Sequence, residues 1–306
     1  MQTLVTGVTG FAGAALAPRL RRDGHAVRGL SREPGRVPAG LVDEVVRGDA
    51  VGGSGLAEAL DGVEVAYYLI HSMEGAADGA FADDERRAAE RLAEAAVAAG
   101  VRRIVYLGGL LPRDGRPSRH LASRVAVEEV LLDAVPGSIA LRASIVIGAR
   151  SRSFRFLVRL IERLPVLALP AWRDNRTAPV DGRDVLEFLA RSATAPTSLG
   201  GRSWDIAGPD VLSYADLIER IADRMHVSRR SVSLGVNLTP LASVVAAAVA
   251  GEDAGLIGPL MESLEHDLLP RDDAAAAAFG VRLHRLDAAL ERALREWERD
   301  EELAAR

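Results

Sequence analysis

Short apolar runs alternate with longer amphipathic stretches along the first 150 residues. TLVTG, AVRGL, EVVRG and VEVAYYLI are runs of strand length, too short for buried helices. Between them FAGAALAPRLRRDG has helical periodicity and stops at Gly24, and SGLAEALDG reads as a shorter helix. Positions 80 to 99 form an alanine-rich helix with Asp83, Asp84 and Glu85 near its start and Gly100 at its stop. VRRIVYLGG, HLASRVAVEEVLLDAV and SIALRASIVIG continue the rhythm as strand, helix and strand. Such alternation predicts an α/β fold: a doubly wound parallel sheet covered by helices on both faces.

The rhythm loosens after residue 150. SFRFLVRLIERLP is an amphipathic helix stopped by Pro165, and LALPAWRDNRTAP reads as a loop. VDGRDVLEFLARS returns to helix, with Asp181 as its cap, and SWDIAG is a short strand. SYADLIERIADRM is a helix capped by Ser213, and NLTPLASVV places Thr239 as cap and Pro240 at the first helical position. The last helix, 286 to 303, is heavily charged and reads as a surface element. The expected organisation is one folded unit. A core over 1–150, completed by 178–208, carries a small, mostly helical C-terminal lobe over 151–177 and 209–306.

VTGVTGFAG places Gly7, Gly10 and Gly13 between a strand and a helix. The first glycine permits a tight turn, the second lets backbone approach a pyrophosphate, and the third allows close helix–strand packing. This strand–loop–helix context makes the spacing a dinucleotide-binding signal and the core a Rossmann fold. An NAD site usually carries an acid about 20 residues past the loop. This chain instead has Ser31 and Arg32 at the end of the second strand, with Arg36 further on. A hydroxyl and a guanidinium suit a 2′-phosphate, so NADPH/NADP is expected over NAD. In RGDAV, Asp49 beside Ala50 is placed either to accept from the adenine amino group or to form an Asx-turn.

Composition then removes classes of chemistry. The 306 residues are 48% hydrophobic and 26% charged, with a net charge of −5 and no cysteine. Thiolate metal sites, disulfides and cysteine nucleophiles are excluded, and the acidic balance argues against nucleic acid as a partner. All 38 basic side chains are arginine, which rules out Schiff-base catalysis and any Tyr-x-x-x-Lys dyad. LASVVAAAVAG at 241–251 is too short to span a bilayer, and no targeting segment is visible. We therefore expect a cytoplasmic protein, off the membrane, monomeric or homodimeric, acting on a small molecule.

Taken together, VTGVTGFAGAAL, RGDA, VEVAYYLIHSM, RRIVYLGG, LRASIVIG, APVDGRDV and WDIAGPDVLSY resemble the short-chain dehydrogenase/reductase superfamily. The YYL-x-HSM segment and the HL-x-SR helix start resemble its atypical NAD(P)H-binding branch, with an NmrA-like or extended architecture. The resemblance covers essentially the whole chain. It implies that Thr9, Phe11 and Ala12 belong to the pyrophosphate loop, and that Leu69, Ile70 and His71 follow the path from adenine ribose to nicotinamide. Ala143, Ser144 and Ile145 would flank the nicotinamide ring.

The chain departs from the classical pattern at every catalytic point. Gly108 and Gly109 stand where the serine would be, His120 replaces the tyrosine and Arg124 the lysine. His120 and Arg124, four apart, share a helix face. An arginine can hold the nicotinamide ribose but cannot shuttle protons. A histidine can donate near neutral pH, and a neighbouring guanidinium would lower its pKa and leave a neutral ring able to bond an oxyanion. His71, at the end of the fourth strand, is a second candidate for the cleft.

Other residues carry weaker readings. MESLEHD holds Glu262, Glu265, His266 and Asp267, but the spacing fits a surface helix and no metal site is expected. Tyr67, Tyr68 and Tyr106 read as core. Phe154, Trp172, Arg173 and Arg176 are placed either to line a pocket or simply to pack.

The function expected is NADPH-dependent reduction of a small conjugated, carbonyl, imine or quinone-type acceptor, at a His/Arg site. The rival is a non-catalytic NADP(H)-binding redox sensor or regulator. A structural subunit of a larger complex, suggested by the charged last helix, is a third reading.

Overall fold

The structure, a computed structural model, describes residues 1–70, 80–233, 261–301 and 303. The first half runs β1 (Gln2–Thr6), α1 (Phe11–Arg22), β2 (Ala26–Ser31), β3 (Glu44–Arg47), α2 (Leu56–Leu60) and β4 (Val65–Tyr68). It continues through α3 (Ala80–Ala98), β5 (Arg103–Gly109), α4 (Arg119–Ala134) and β6 (Ile139–Ala143). Next come β7 (Val146–Ile147), α5 (Arg152–Arg163), β8 (Val166–Leu169), β9 (Arg176–Thr177), β10 (Val180–Asp181) and α6 (Gly182–Ser192). After β11 (Arg202–Ile206), β12 (Leu212–Ser213), α7 (Tyr214–Arg224) and β13 (Arg230–Ser233), the described chain ends with helices Ala274–Phe279 and Leu286–Asp300.

Seven of these strands form one sheet in the order β11-β6-β5-β4-β1-β2-β3. Every pairing in it is parallel. Successive side chains leave a strand on opposite faces, and the core follows that rule. Val5, Tyr67 and Val105 join the cluster under α1 and α6. Leu4, Tyr68 and Tyr106 join the one under α3 and α4. The strands are apolar on both faces because helices cover both. Tyr67, Tyr68 and Tyr106 are core residues, as expected.

The strand order reverses between β1 and β4, so the ligand crevice of such a sheet opens beyond their carboxyl ends. Thr6 ties the two strands there. Its hydroxyl donates to the Tyr67 carbonyl at 2.9 Å and accepts from the Leu69 N–H at 3.1 Å.

Three local expectations need correction. SIALRASIVIG is two strands, not one. The chain leaves the sheet at Ser144 and Ile145, and β7 pairs instead with β10. LALPAWRDNRTAP is not a plain loop. It holds β8, a 3-10 turn over Ala171–Asp174 and β9, whose partners β13 and β12 lie far along the chain. Strands of two to four residues carry too little periodicity to read locally.

The last helix is also not a bare surface element. Its charges occupy one face, while Leu290, Leu294 and Trp297 on the other are buried, Trp297 to 1% exposure. Arg155 stacks over the Trp297 ring at 4.2 Å. With α5 and α7 this helix encloses a separate apolar cluster. The cap assignments hold: Asp181 accepts from the Arg183 N–H at 2.8 Å, and Ser213 forms a capping box with Asp216. Thr239, Pro240 and the run 241–251 lie outside the described residues. Among the described residues no helix is long and apolar enough to cross a membrane.

Candidate functional site

Two hollows open along the carboxyl edge of the sheet. The first, about 320 Å³, lies beyond β1, β2 and β3. Gly7, Thr9, Ser31, Arg32, Asp49, Ala50 and Ile70 all line it, so residues far apart in the chain converge as expected. Gly10, Phe11, Ala12 and Gly13 open α1 beside it, and Leu69 backs the loop.

The glycine loop is built so that only backbone fits. Gly7 sits at φ +64°, and a β-carbon there would lie 2.6 Å from the Leu69 carbonyl oxygen. A β-carbon on Gly13 would overlap the Gly7 carbonyl, and one on Gly10 would stand 3.2 Å from the same oxygen. The N-cap of α1 is Gly10, which offers no side-chain acceptor to the first-turn N–H groups. An anion placed there meets those amides and the positive end of the helix. Phe11 turns its ring away from this loop onto Gly148 and Gly182, where added β-carbons would stand 3.0 and 3.2 Å from it.

Asp49 resolves toward the turn. Its two carboxylate oxygens accept from the N–H groups of Val51 and Gly52 at 3.2 and 3.0 Å, while it still faces the hollow. Ser31 accepts from the Glu33 N–H at 3.2 Å, and Arg36 is held by Glu33 at 2.9 Å. Arg32 is exposed and faces the hollow. Arg152, from the first turn of α5, reaches the same wall and was missed in the sequence, because nothing local links it to β2 or β3.

The second hollow, about 150 Å³, lies beyond β5 and β6. His120, Ala143, Ser144 and Ile145 line it together with Gly109. Gly108 does not: it backs onto the Tyr106 ring. Ser153 lines this second hollow while its neighbour Arg152 lines the first, so one turn of α5 borders both. With Leu110 and Leu121 in the wall, Phe156, Leu157, Tyr214, Ser263, Leu264 and Leu268 line it from the C-terminal part of the chain. Sequence reading missed all six. Phe154 and Trp172 pack in the lobe's core, Arg173 pairs with Asp174 and Arg176 with Asp267, and none lines the hollow.

MESLEHD likewise departs from a surface helix. Met261 and Ser263 are buried, and the Ser263 hydroxyl meets that of Ser118 at 3.0 Å. Among the described residues no group of three or more His, Asp or Glu is arranged to hold a metal ion.

α4 is capped by Ser118, which accepts from the Leu121 N–H at 3.3 Å, so His120 is left to the hollow. Burial first, and Arg124 second, hold the His120 pKa down to about 3. The sequence indicated the direction but named only the guanidinium; burial is the larger cause. The ring is therefore neutral throughout the physiological range, and the idea of an imidazolium acid near neutral pH does not hold for the free protein. Arg124 lies behind it at 8% exposure, its carbonyl accepting from Tyr106 at 3.3 Å. Ser123 beside it donates to buried Glu85 at 2.7 Å. His71 lies outside the described residues.

Hydroxyls meet just beyond the end of β6. Ser144 and Thr177 approach to 3.2 Å. Burial pushes the Tyr214 phenol well above its ordinary pKa, and nearby Thr177 works against that shift. No group among the described residues meets the Tyr214 hydroxyl with hydrogen-bond geometry.

The model of the NAD dependent epimerase/dehydratase family matches residues 3–114. A (4-alkanoyl-5-oxo-2,5-dihydrofuran-3-yl)methyl phosphate reductase of Streptomyces griseus is 30% identical over 242 residues, 76% of this chain and 77% of that protein. The NADH dehydrogenase [ubiquinone] 1 alpha subcomplex subunit 9 of Arabidopsis thaliana mitochondria is 26% identical over 251 residues. That match covers 79% of this chain and 62% of the relative, so the chain spans under two thirds of that protein's length. The UDP-glucuronic acid 4-epimerase of Bacillus cereus, solved with UDP-glucuronic acid and NAD, superposes with a TM-score of 0.72 at 16% identity over 98% of this chain and 99% of its own. The parallel sheet, the glycine loop at its reversal point and these matches agree: the chain belongs to the NAD dependent epimerase/dehydratase family, in the extended short-chain dehydrogenase/reductase superfamily.

Proposed function

We propose that this chain is an NADPH-dependent reductase that transfers hydride to a small conjugated, carbonyl, imine or quinone-type acceptor. The observation that carries the proposal is the pair of hollows bordered by one turn of α5, one lined by glycine backbone, three arginines and the carboxylates of Glu33 and Asp49, the other apolar and holding His120. In this reading the unit 1–150 with 178–208 binds the cofactor, and 151–177 with 209–306 closes over the acceptor. The α1 amides hold the pyrophosphate, and Ser31 and Arg32 hold the 2′-phosphate. Ala143, Ser144 and Ile145 flank the nicotinamide ring, whose chemistry when bound is the donation of hydride.

His120, neutral and short of water, donates a hydrogen bond to the acceptor oxygen or nitrogen as charge develops there. Negative charge arriving in that site raises the histidine's proton affinity, so burial opposes protonation less in the reacting complex than in the free protein. Arg124 supplies a permanent positive charge behind the ring but no proton. The Streptomyces relative, named as a reductase, supports hydride transfer.

A second reading, a non-catalytic NADP(H)-binding protein, is favoured by the low proton affinity of His120 and the absence of lysine. The Arabidopsis relative, named as a subunit of a larger assembly, supports it.

The experiment is stopped-flow oxidation of bound NADPH by quinones, flavins, enones, imines and aldehydes, for wild type and His120→Ala, with NADPH affinity titrated separately. Turnover lost in the variant at unchanged affinity supports the reductase. Tight NADPH binding with no oxidation by any acceptor moves the reading to the binding protein.

A further inference from the structure

The second hollow carries chemistry that the family leaves open. Its described walls contain no charged side chain: leucine, isoleucine and phenylalanine face it with three serines, Tyr214 and His120. Among the described lining residues the titratable group nearest neutrality is His120, and burial keeps it uncharged. Arg124, one turn along α4 from His120, and Glu85 are buried but do not line the hollow. A carboxylate or phosphate entering the hollow would lose its water without direct contact with a cation of the described walls, Arg124 acting only through His120. The contrast with the Streptomyces relative, whose named substrate is a phosphate, is direct.

Size restricts the occupant further. An apolar cavity of about 150 Å³ is of the order that takes up one benzene ring. Ser144 faces the hollow with Thr177 at its back, and the buried Tyr214 hydroxyl lies beside the same Thr177. Ser144 and His120 are thus the polar groups of this wall placed to meet a ligand oxygen.

We propose that the acceptor is a small uncharged carbonyl compound, a single ring or short chain, whose oxygen lies toward His120 and Ser144 and whose hydrocarbon lies on Phe156, Leu157 and Leu264. The proposal rests on the reductase reading. The carbonyl carbon, or the β-carbon of an enone, takes hydride from NADPH, which is oxidised to NADP. The displaced π pair moves to oxygen, and one proton from solvent completes the reduced product.

The test compares 2-cyclohexen-1-one with its ring carboxylate, dihydroxyacetone phosphate and UDP-glucose, in wild type, Ser144→Ala and Leu264→Lys. Leu264 is half-buried at the wall, so a lysine there is accommodated without refilling the core. Binding of cyclohexanol to the NADPH-loaded protein, a pair that cannot react, is measured by calorimetry beside turnover. The neutral enone is expected to exceed its carboxylate on the order of 100-fold in kcat/KM. Leu264→Lys should cut that ratio by roughly tenfold or more and weaken cyclohexanol, while Ser144→Ala lowers kcat more than it raises KM.

Reduction without discrimination against charge leaves the reductase standing and overturns this assignment. Cyclohexanol bound by wild type, lost in Leu264→Lys and not replaced by the charged compounds, with no acceptor reduced, upholds the pocket and sinks the reductase. Failure of cyclohexanol to bind, or preference for UDP-glucose or the phosphate, overturns the proposal.

Discussion

The Leu69 carbonyl oxygen occupies the space that a β-carbon on Gly7 would need, at 2.6 Å. This contact presses the glycine loop onto the end of β4, at the point where the sheet order reverses. Two constraints coincide at Gly7, since its φ of +64° is also a conformation that side chains resist.

Gly7→Ala is accordingly expected to destabilise the protein by about 1–3 kcal/mol through backbone strain. NADPH affinity should fall at least tenfold, because the loop cannot stay seated against Leu69. Urea unfolding and a fluorescence titration of NADPH measure the two effects separately. Gly35→Ala, with no atom near its would-be β-carbon, serves as the control and should change neither.

Arg32 and Arg36 should behave differently despite their proximity. Both line the first hollow, but Arg36 is engaged there by Glu33. A charge-assisted contact to phosphate contributes about 1.5–3 kcal/mol. Arg32→Ala should therefore raise the NADPH dissociation constant by roughly 10- to 100-fold and leave NADH within about twofold. Arg36→Ala should alter neither by more than a few-fold. Equal losses for both cofactors in Arg32→Ala would remove the 2′-phosphate role.

His120 leads to a pH prediction whose sign follows from its environment. Its folded pKa, about 3, lies below the ordinary 6.5 of an unfolded histidine. Between those values the unfolded chain binds a proton that the folded chain refuses. Acid therefore lowers stability as pH falls through that window, by about 1–2 kcal/mol at pH 5 from this group. His120→Gln should remove that share of the pH dependence. The comparison is urea unfolding of both proteins at pH 7 and pH 5, and identical slopes would contradict the assignment.

Asp181 ties β10 to α6. Its carboxylate is buried, caps the helix through the Arg183 N–H at 2.8 Å and receives the Arg183 guanidinium at 2.5 Å. Asp181→Ala should cost about 2–4 kcal/mol, since both a cap and a buried ion-pair partner are lost. Asp181→Asn should cost less, because the amide oxygen still caps. Thermal unfolding of the two variants orders the effects.

The glycine loop and the alternation of strand and helix were legible because each depends on neighbours in the chain. Val5 and Leu4 announce opposite sheet faces by their spacing alone, and Gly7, Gly10 and Gly13 announce a turn that only backbone can fill. Ser213 and Asp181 were readable as caps for the same reason: a cap acts two or three residues away. The second hollow was legible only in part, through His120 and, by resemblance, Ala143, Ser144 and Ile145. Leu157, Tyr214 and Leu264 belong to three segments whose patterns say only that each is half apolar. The pairing of β8 with β13 joins strands more than sixty residues apart, and neither is long enough to declare itself. Even His120, visible as an oddity at its position, owes its neutrality chiefly to burial, which no local pattern contains. Local sequence determined the fold class and the cofactor loop through periodicity and backbone sterics. Tertiary packing decided the shape and charge of the acceptor site, because desolvation and cavity walls are properties of what folds in from elsewhere.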